Sequence, residues 1–201
     1  MYHGERLNSG THLLGLILAV AGTPILLAHA GTARQVVAVS VFGLSMVLLY
    51  AASTLCHSLR GPAKERWATV DHCAIFLLIA GTYTPIALIT LHGPLGWGLL
   101  GLVWSLAALG IARALGPGRG RQPSVPLYLA MGWCGLAVGW PMVRGLPGLA
   151  WLGLLSGCLF YMAGIQFYRL GARLRHGHGI WHLFVLAGTT SHFFTVLRIL
   201  G

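Results

Sequence analysis

His178 and His182 stand four residues apart in the stretch His178-Gly-Ile-Trp-His182. On a helix that spacing puts both imidazoles on one face, about 6 Å apart along the axis, where they can reach one metal ion. The apolar run that follows suggests a membrane, so any further ligands must come from elsewhere in the chain at the same depth. His57 and Asp71 are the candidates. Three imidazoles with one carboxylate suit Zn²⁺, which takes imidazole nitrogen at about 2.0 Å and in catalytic sites keeps a position for water. Zinc lowers the pKa of that water towards about 7, and a nearby carboxylate can hold it and take its proton. Two roles stay open for Asp71: holding the water, or closing a structural site as a fourth ligand. Ser53, one turn before His57, can orient a ligand or hydrogen-bond the water or substrate. It can equally bond a carbonyl of its own helix.

The elements that must position these residues are membrane helices. Of 201 residues 56% are hydrophobic and 8% charged, against about a quarter charged in a soluble domain. The expected fold is an all-α integral membrane protein, one domain over residues 1–201. Apolar runs cover about 11–31, 36–57, 70–90, 95–115, 124–142, 147–168 and 179–200, each close to the ~20 residues that cross hydrocarbon. Seven spans result, the fourth and fifth with the softest boundaries because Gly and Pro punctuate both.

The basic residues test that count. With the N-terminus cytoplasmic, Arg6, Arg60, Lys64, Arg66, Arg113, Arg119, Arg121, Arg169, Arg173 and Arg175 fall inside, and Arg34, Arg144 and Arg198 outside. This distribution obeys the positive-inside rule for an N-in, C-out protein. It also accounts for the net charge of +10 without nucleic acid, for which no basic cluster is dense enough. Ala28-His29-Ala30 resembles a signal-peptide cleavage site, but the basic region before it is weak and comparable runs follow, so the first run is expected to stay. Cys56, Cys73, Cys134 and Cys158 show no paired spacing and are expected as small packed residues rather than a disulfide framework. Residues 118–123 read as a flexible inner loop.

Topology then gathers the histidines. His57 lies at the inner end of the second span, His178 and His182 at the inner end of the seventh, and Asp71 starts the third on the same side. An ionisable residue at such a position is costly and usually has a function or a partner. His12, at the inner mouth of the first span, can form a polar cap with Glu5 and Asn8. His192 is ten residues beyond His182, about 15 Å further along the helix and too far for the same ion; it reads as a buried hydrogen-bonding, channel or packing residue. His72 points about 100° away from Asp71. His29, His92 and His176 receive no role. Pro85, in Gly81-Thr-Tyr-Thr-Pro85, either kinks the third helix to open space beside the metal or serves packing alone.

Glu5-Arg-Leu-Asn8-Ser-Gly-Thr-His12, Ser53-Thr-Leu-Cys-His57-Ser, Asp71-His-Cys through Thr84-Pro85 and His178-Gly-Ile-Trp-His182 through His192, in that order, resemble the haemolysin III branch of the progestin and adipoQ receptor family. The resemblance covers nearly the whole chain and implies a seven-helix bundle like that of the adiponectin receptors. It implies that His57, His178 and His182 match zinc ligands, that Asp71 matches the residue holding the zinc's water, and that Ser53 matches a serine near it. It links the receptor branch to ceramidase-like hydrolysis, and the bacterial branch to membrane-lipid homeostasis or a haemolysin label in the cytoplasmic (inner) membrane. The chain departs from the receptors in lacking their long cytoplasmic N-terminal region, and Gly179 stands where the last motif usually has glutamate.

The leading expectation is an intramembrane zinc hydrolase acting on a membrane lipid's amide or ester. The second is a non-catalytic lipid sensor or homeostasis regulator in which zinc pins the helices together. The third is a pore-forming haemolysin, for which a row of polar residues across the bilayer is wanting.

Overall fold

Among the described residues seven helices are long and apolar enough to cross a bilayer. The computed structural model describes residues 5–91, 93–116, 124–171 and 173–201. The helices are α1 (Arg6–His29), α2 (Ala33–Ser58), α3 (Gly61–Pro85, continued by a π-turn over Ile86–Thr90), α4 (Gly93–Leu115), α5 (Val125–Gly145), α6 (Ala150–Leu170) and α7 (Gly177–Leu200). No strand occurs among the described residues.

The helices outrun their apolar stretches at the inner end. α1 starts at Arg6 rather than 11, and α3 at Gly61 rather than 70. Their first turns are polar because they stand outside the hydrocarbon, and Pro62 sits where a helix has no use for its missing N–H. Asp71 is therefore not at the start of α3 but almost three turns into it, buried among its neighbours. At the outer end α2 opens with a capping box: Gln35 N–H donates to Thr32 Oγ1 (3.2 Å), while Gln35 Oε1 accepts from Thr32 N–H (3.1 Å) and Gly31 N–H (2.9 Å).

α5 is broken in the middle, with a 3₁₀ segment at Cys134–Val138 between α-helical Val125–Trp133 and Gly139–Gly145. Gly132, Gly135 and Gly139 weaken the helix there. The Tyr83 hydroxyl of α3 donates to the Gly132 carbonyl (2.7 Å) and accepts from Gly135 N–H (2.9 Å), satisfying backbone groups at the break. Pro85 closes α3 ahead of the π-turn. It lies fourteen residues beyond Asp71, about 21 Å along the helix. Of the two readings of Pro85, opening space beside Asp71 does not fit this distance, because the irregularity lies towards the opposite membrane face.

α2 lies between α1 and α3, and α7 packs on α6 and α1. One apolar core joins α1, α2 and α7 through Leu26, Phe42, Leu49, Tyr50 and Val185; a second joins α3, α4 and α5 through Phe76, Leu99, Val103 and Met131. Large side chains such as Ile17, Leu18, Leu44 and Leu159 are exposed, which in water would be a liability and in hydrocarbon is the lipid-facing coat. The basic residues named above cap the two sets of helix ends as expected, save Arg119, Arg121 and the expected 118–123 loop, which with His92 lie outside the described residues.

Two outcomes follow from this arrangement. A periplasmic-type reporter enzyme fused after Gly201 is expected to be active and a cytoplasm-dependent fluorophore dark; the reverse pattern would overturn the N-in, C-out orientation. Gly22 faces the Phe193 ring so closely that a Cβ would lie 2.8 Å from it, whereas a Cβ on Gly98 meets nothing within 4 Å. Gly22→Val is therefore expected to destabilise the detergent-solubilised protein by about 1–3 kcal/mol, read as a lower Tm than that of Gly98→Val.

Candidate metal centre

α2 brings His57 in its last turn, and α7 brings His178 and His182 in its first two. His176 turns the chain into α7 in the left-handed conformation (φ 64°). Gly179 then lets α1 approach, because a Cβ there would lie 2.7 Å from Leu7 Cγ and 2.9 Å from Asn8 Oδ1. The three imidazoles form a nearly regular triangle, with ring centroids 5.0 Å (His57 to His178), 4.9 Å (His57 to His182) and 4.6 Å (His178 to His182) apart. Each offers one nitrogen within 4.8 Å of the others.

The remaining ring nitrogens decide what these three can do. His57 Nδ1–H donates to Glu5 Oε2 at 2.6 Å, and His182 Nδ1–H donates to the Asn8 carbonyl at 3.0 Å. Both bonds fix the tautomer that leaves Nε2 as a lone pair. His57 Nε2 lies 3.3 Å from His178 Nε2, and His182 Nε2 is fully buried with no hydrogen-bond partner. A zinc ion with nitrogens at 2.0–2.1 Å in a tetrahedron would separate them by about 3.3–3.4 Å. The donor set fits zinc: three imidazoles, two of them bonded through Nδ1 to Glu5 and Asn8, with the His182 Nε2 buried and without a hydrogen-bond partner.

Glu5 is the outer support. It also accepts from Asn8 Nδ2 (2.6 Å) and Lys64 Nζ (2.5 Å). Partial burial alone would raise its carboxyl pKa, but the hydrogen bonds from Lys64, Asn8 and His57 prevail and hold it at about 2. It stays charged at any physiological pH. Ser9 and Ser58 share a hydrogen bond (2.7 Å) that ties the same ends of α1 and α2.

Asp71 arrives from α3 as a neighbour of His57. Its carboxylate, the Cys56 thiol and a His57 nitrogen lie within 4.8 Å of one another. Ser53 Oγ is buried beside this group, interacting with Asp71 but with no hydrogen-bond partner at contact distance. His12 stacks face to face on His182, with ring centroids 3.7 Å apart and planes 11° apart. The expected cap of Glu5, Asn8 and His12 is thus brought to the histidines, and its members do different things. His192 stays away, bonding the Leu154 carbonyl through Nε2 at 3.2 Å. His72 is half-buried and does not join the cluster, and His29 bonds its own helix at Ile25 O.

Sequence reasoning missed two neighbours. Position in the sequence groups Glu5 with His12 rather than with His57, although an acidic residue close to a metal-type histidine is the usual pairing. Cys56 is a free thiol like the other three cysteines, and nothing in its spacing separates it from them.

The sequence profile of the family described as "Haemolysin-III related" matches residues 1–193. The chain belongs to this family. It is similar to Hemolysin-3 of Bacillus cereus, with 46% identity over 198 residues covering 96% of this chain and 90% of that protein. It is also similar to a Hemolysin-3 homolog of Bacillus subtilis strain 168, at 39% identity over 96% of this chain and 92% of that protein. Human "Monocyte to macrophage differentiation factor" is more distant, at 27% identity over 96% of this chain and 83% of that protein. The haemolysin-III match contains every residue of the cluster, from Glu5 to His182, and ends just beyond His192.

The carboxylate behind His57 supplies a test of the support. In zinc titrations Glu5→Gln, which keeps the shape and loses the charge, is expected to weaken affinity about 10–100-fold. Unchanged affinity would mean that the contact only anchors α1.

Proposed function

We propose that this multi-pass membrane protein is a zinc-dependent hydrolase of a lipid amide or ester, working at the cytoplasmic face of a bacterial inner membrane. The observation that supports it most is the triangle of imidazoles, two of them tied through Nδ1 to Glu5 and Asn8, with Asp71 beside His57. His57, His178 and His182 would hold the ion. When bound, zinc supplies Lewis-acid polarisation of a carbonyl and acidification of water.

The residues of the chain do the rest. Asp71, buried and next to His57, takes a proton from the attacking water on a carboxylate oxygen and passes it to the departing amine or alcohol. The hydroxyl adds to the acyl carbon, so the products are a fatty acid and an amine or alcohol. Ser53 Oγ steadies the Asp71 carboxylate from one turn before His57. Glu5 keeps His57 in the tautomer that presents Nε2. The site stands at the inner end of the bundle, where a lipid's polar linkage lies while its acyl chain remains in hydrocarbon.

A second reading has an observation of its own. The cluster joins the ends of α1, α2 and α7 through His57, His178, His182, Glu5 and Asn8, so an ion there could act as a clamp whose tightness responds to lipid. Its mark would be structural: His182→Ala would loosen the bundle and no lipid would be consumed.

The test begins with metal content. Detergent-purified protein is expected to hold about one zinc per chain, lost in His182→Ala and kept in Asp71→Asn. On a panel of lipid amides and esters, Asp71→Asn is expected to lower turnover by about 10²–10⁴-fold. Zinc present without turnover by the unaltered chain would sink the hydrolase and leave the clamp; absence of zinc would sink both.

A further inference from the structure

A second group of polar side chains lies deeper in the bundle and plays no part in holding the ion. Beyond His12, which stacks on His182, come Tyr50 on α2, Thr189 and His192 on α7 and Tyr161 on α6. Tyr50 sits edge-on to His12, with ring centroids 5.1 Å apart. Its hydroxyl lies near Thr189 and Tyr161 without bonding either at contact distance, and those two share a hydrogen bond of 2.9 Å. Tyr161 in turn meets His192, centroids 5.5 Å apart. Thr189 and His192 are seven and ten residues past His182, so the line climbs about 10–15 Å along α7, towards the middle of a hydrocarbon layer of ~30 Å.

Glycines make room for it. A Cβ on Gly15 would lie 2.6 Å from the Tyr50 ring and one on Gly188 2.8 Å from that of Tyr161, and Gly157 faces the His192 ring. Three polar rings are each seated against a residue without a side chain, where a plain apolar packing would have needed neither.

The hydrogen bonds do not close. Thr189 gives its proton to the Val185 carbonyl (3.0 Å), and His192 Nε2 is taken by Leu154. Left over are the Tyr50 hydroxyl, both ring nitrogens of His12 and His192 Nδ1, all buried without a partner. Tyr50, His12 and His192 are 1%, 2% and 4% exposed, so bulk solvent does not serve them. Such groups are costly in hydrocarbon unless something both donates and accepts beside them.

We propose that this seam between α1, α2, α6 and α7 is a binding site for ordered water. Tyr50 needs an acceptor, His192 Nδ1 needs a donor, and a neutral His12 needs one of each. Water meets all of these demands within a very small volume, whereas the near-complete burial leaves no entry for a lipid chain. The seam begins at the ring stacked on His182, so its water is placed to supply a hydrolysis and carry away a proton. That use rests on the hydrolase reading; the presence of water does not.

The experiment is X-ray radiolytic footprinting of the full chain in nanodiscs, in which radicals born from bound water label the side chains touching it. Tyr50 and His12, each normalised for intrinsic reactivity, are expected to be labelled at least about fivefold faster than the similarly buried Phe42 and Phe76, which have no polar atom for water to bond. Labelling at the phenylalanine rate overturns the proposal. The second measurement is the sign of a stability change. If water bonds its hydroxyl, Tyr50→Phe lowers the Tm by a few degrees; if the hydroxyl is dry and unpaired, removing it leaves the Tm unchanged or raises it, which also overturns the proposal. Neither readout depends on metal content or lipid turnover, so a wet seam in an inactive protein and a dry seam in a hydrolase are separate results.

Discussion

One buried-edge carboxylate organises the inner end of this bundle. A charge at the rim of a membrane protein persists only if donors surround it, and Glu5 collects three, from Asn8 on its own helix, His57 on α2 and Lys64 at the start of α3. Holding the first turn of α1 there sets the Asn8 carbonyl against His182 and slides His12 over the same ring. The histidines are therefore oriented by α1, which contributes none of the three rings of the triangle. Their geometry and the docking of the N-terminal helix are one problem with one solution.

Small residues make that solution possible. Lipid offers no hydrophobic gain for helices to approach one another, so contact has to come from close fit. Gly179 lets Leu7 and Asn8 lie against the start of α7, and Gly22 and Gly43 seat Phe193 and Thr23 in the same way along α1 and α2. The polar atoms inside the bundle depend on this closeness, since a hydroxyl or imidazole reaches a carbonyl on the next helix only when the backbones nearly touch.

Much of this was legible in the chain beforehand, and the limits are physical. Seven spans could be counted because each needs a similar length of apolar sequence, and arginine placement checked their direction. His57, His178 and His182 could be assembled because topology alone puts the two helix ends at one depth. The bond from Glu5 to His57 could not, because it joins residues 52 apart and Glu5 precedes the apolar run that was read as the first helix. The burial of Asp71 was underestimated for a related reason: hydropathy finds the part of a helix inside lipid, and α3 has three polar turns before it. Cys56 follows from neither rule. Its neighbour His57 points some 100° away on an ideal helix, and only the placement of α3 brings Asp71 near both.

The break in α5 bears on how the protein enters its membrane. That span is the least apolar of the seven, and its central turns leave backbone groups for a neighbour to satisfy. Alone in lipid it would be a poor guest, with open N–H and C=O groups in a medium that cannot bond them. The Tyr83 hydroxyl supplies the missing partners, and α3 leaves the ribosome before α5 does. The partner that makes the break tolerable in lipid therefore comes from a helix synthesised earlier in the chain.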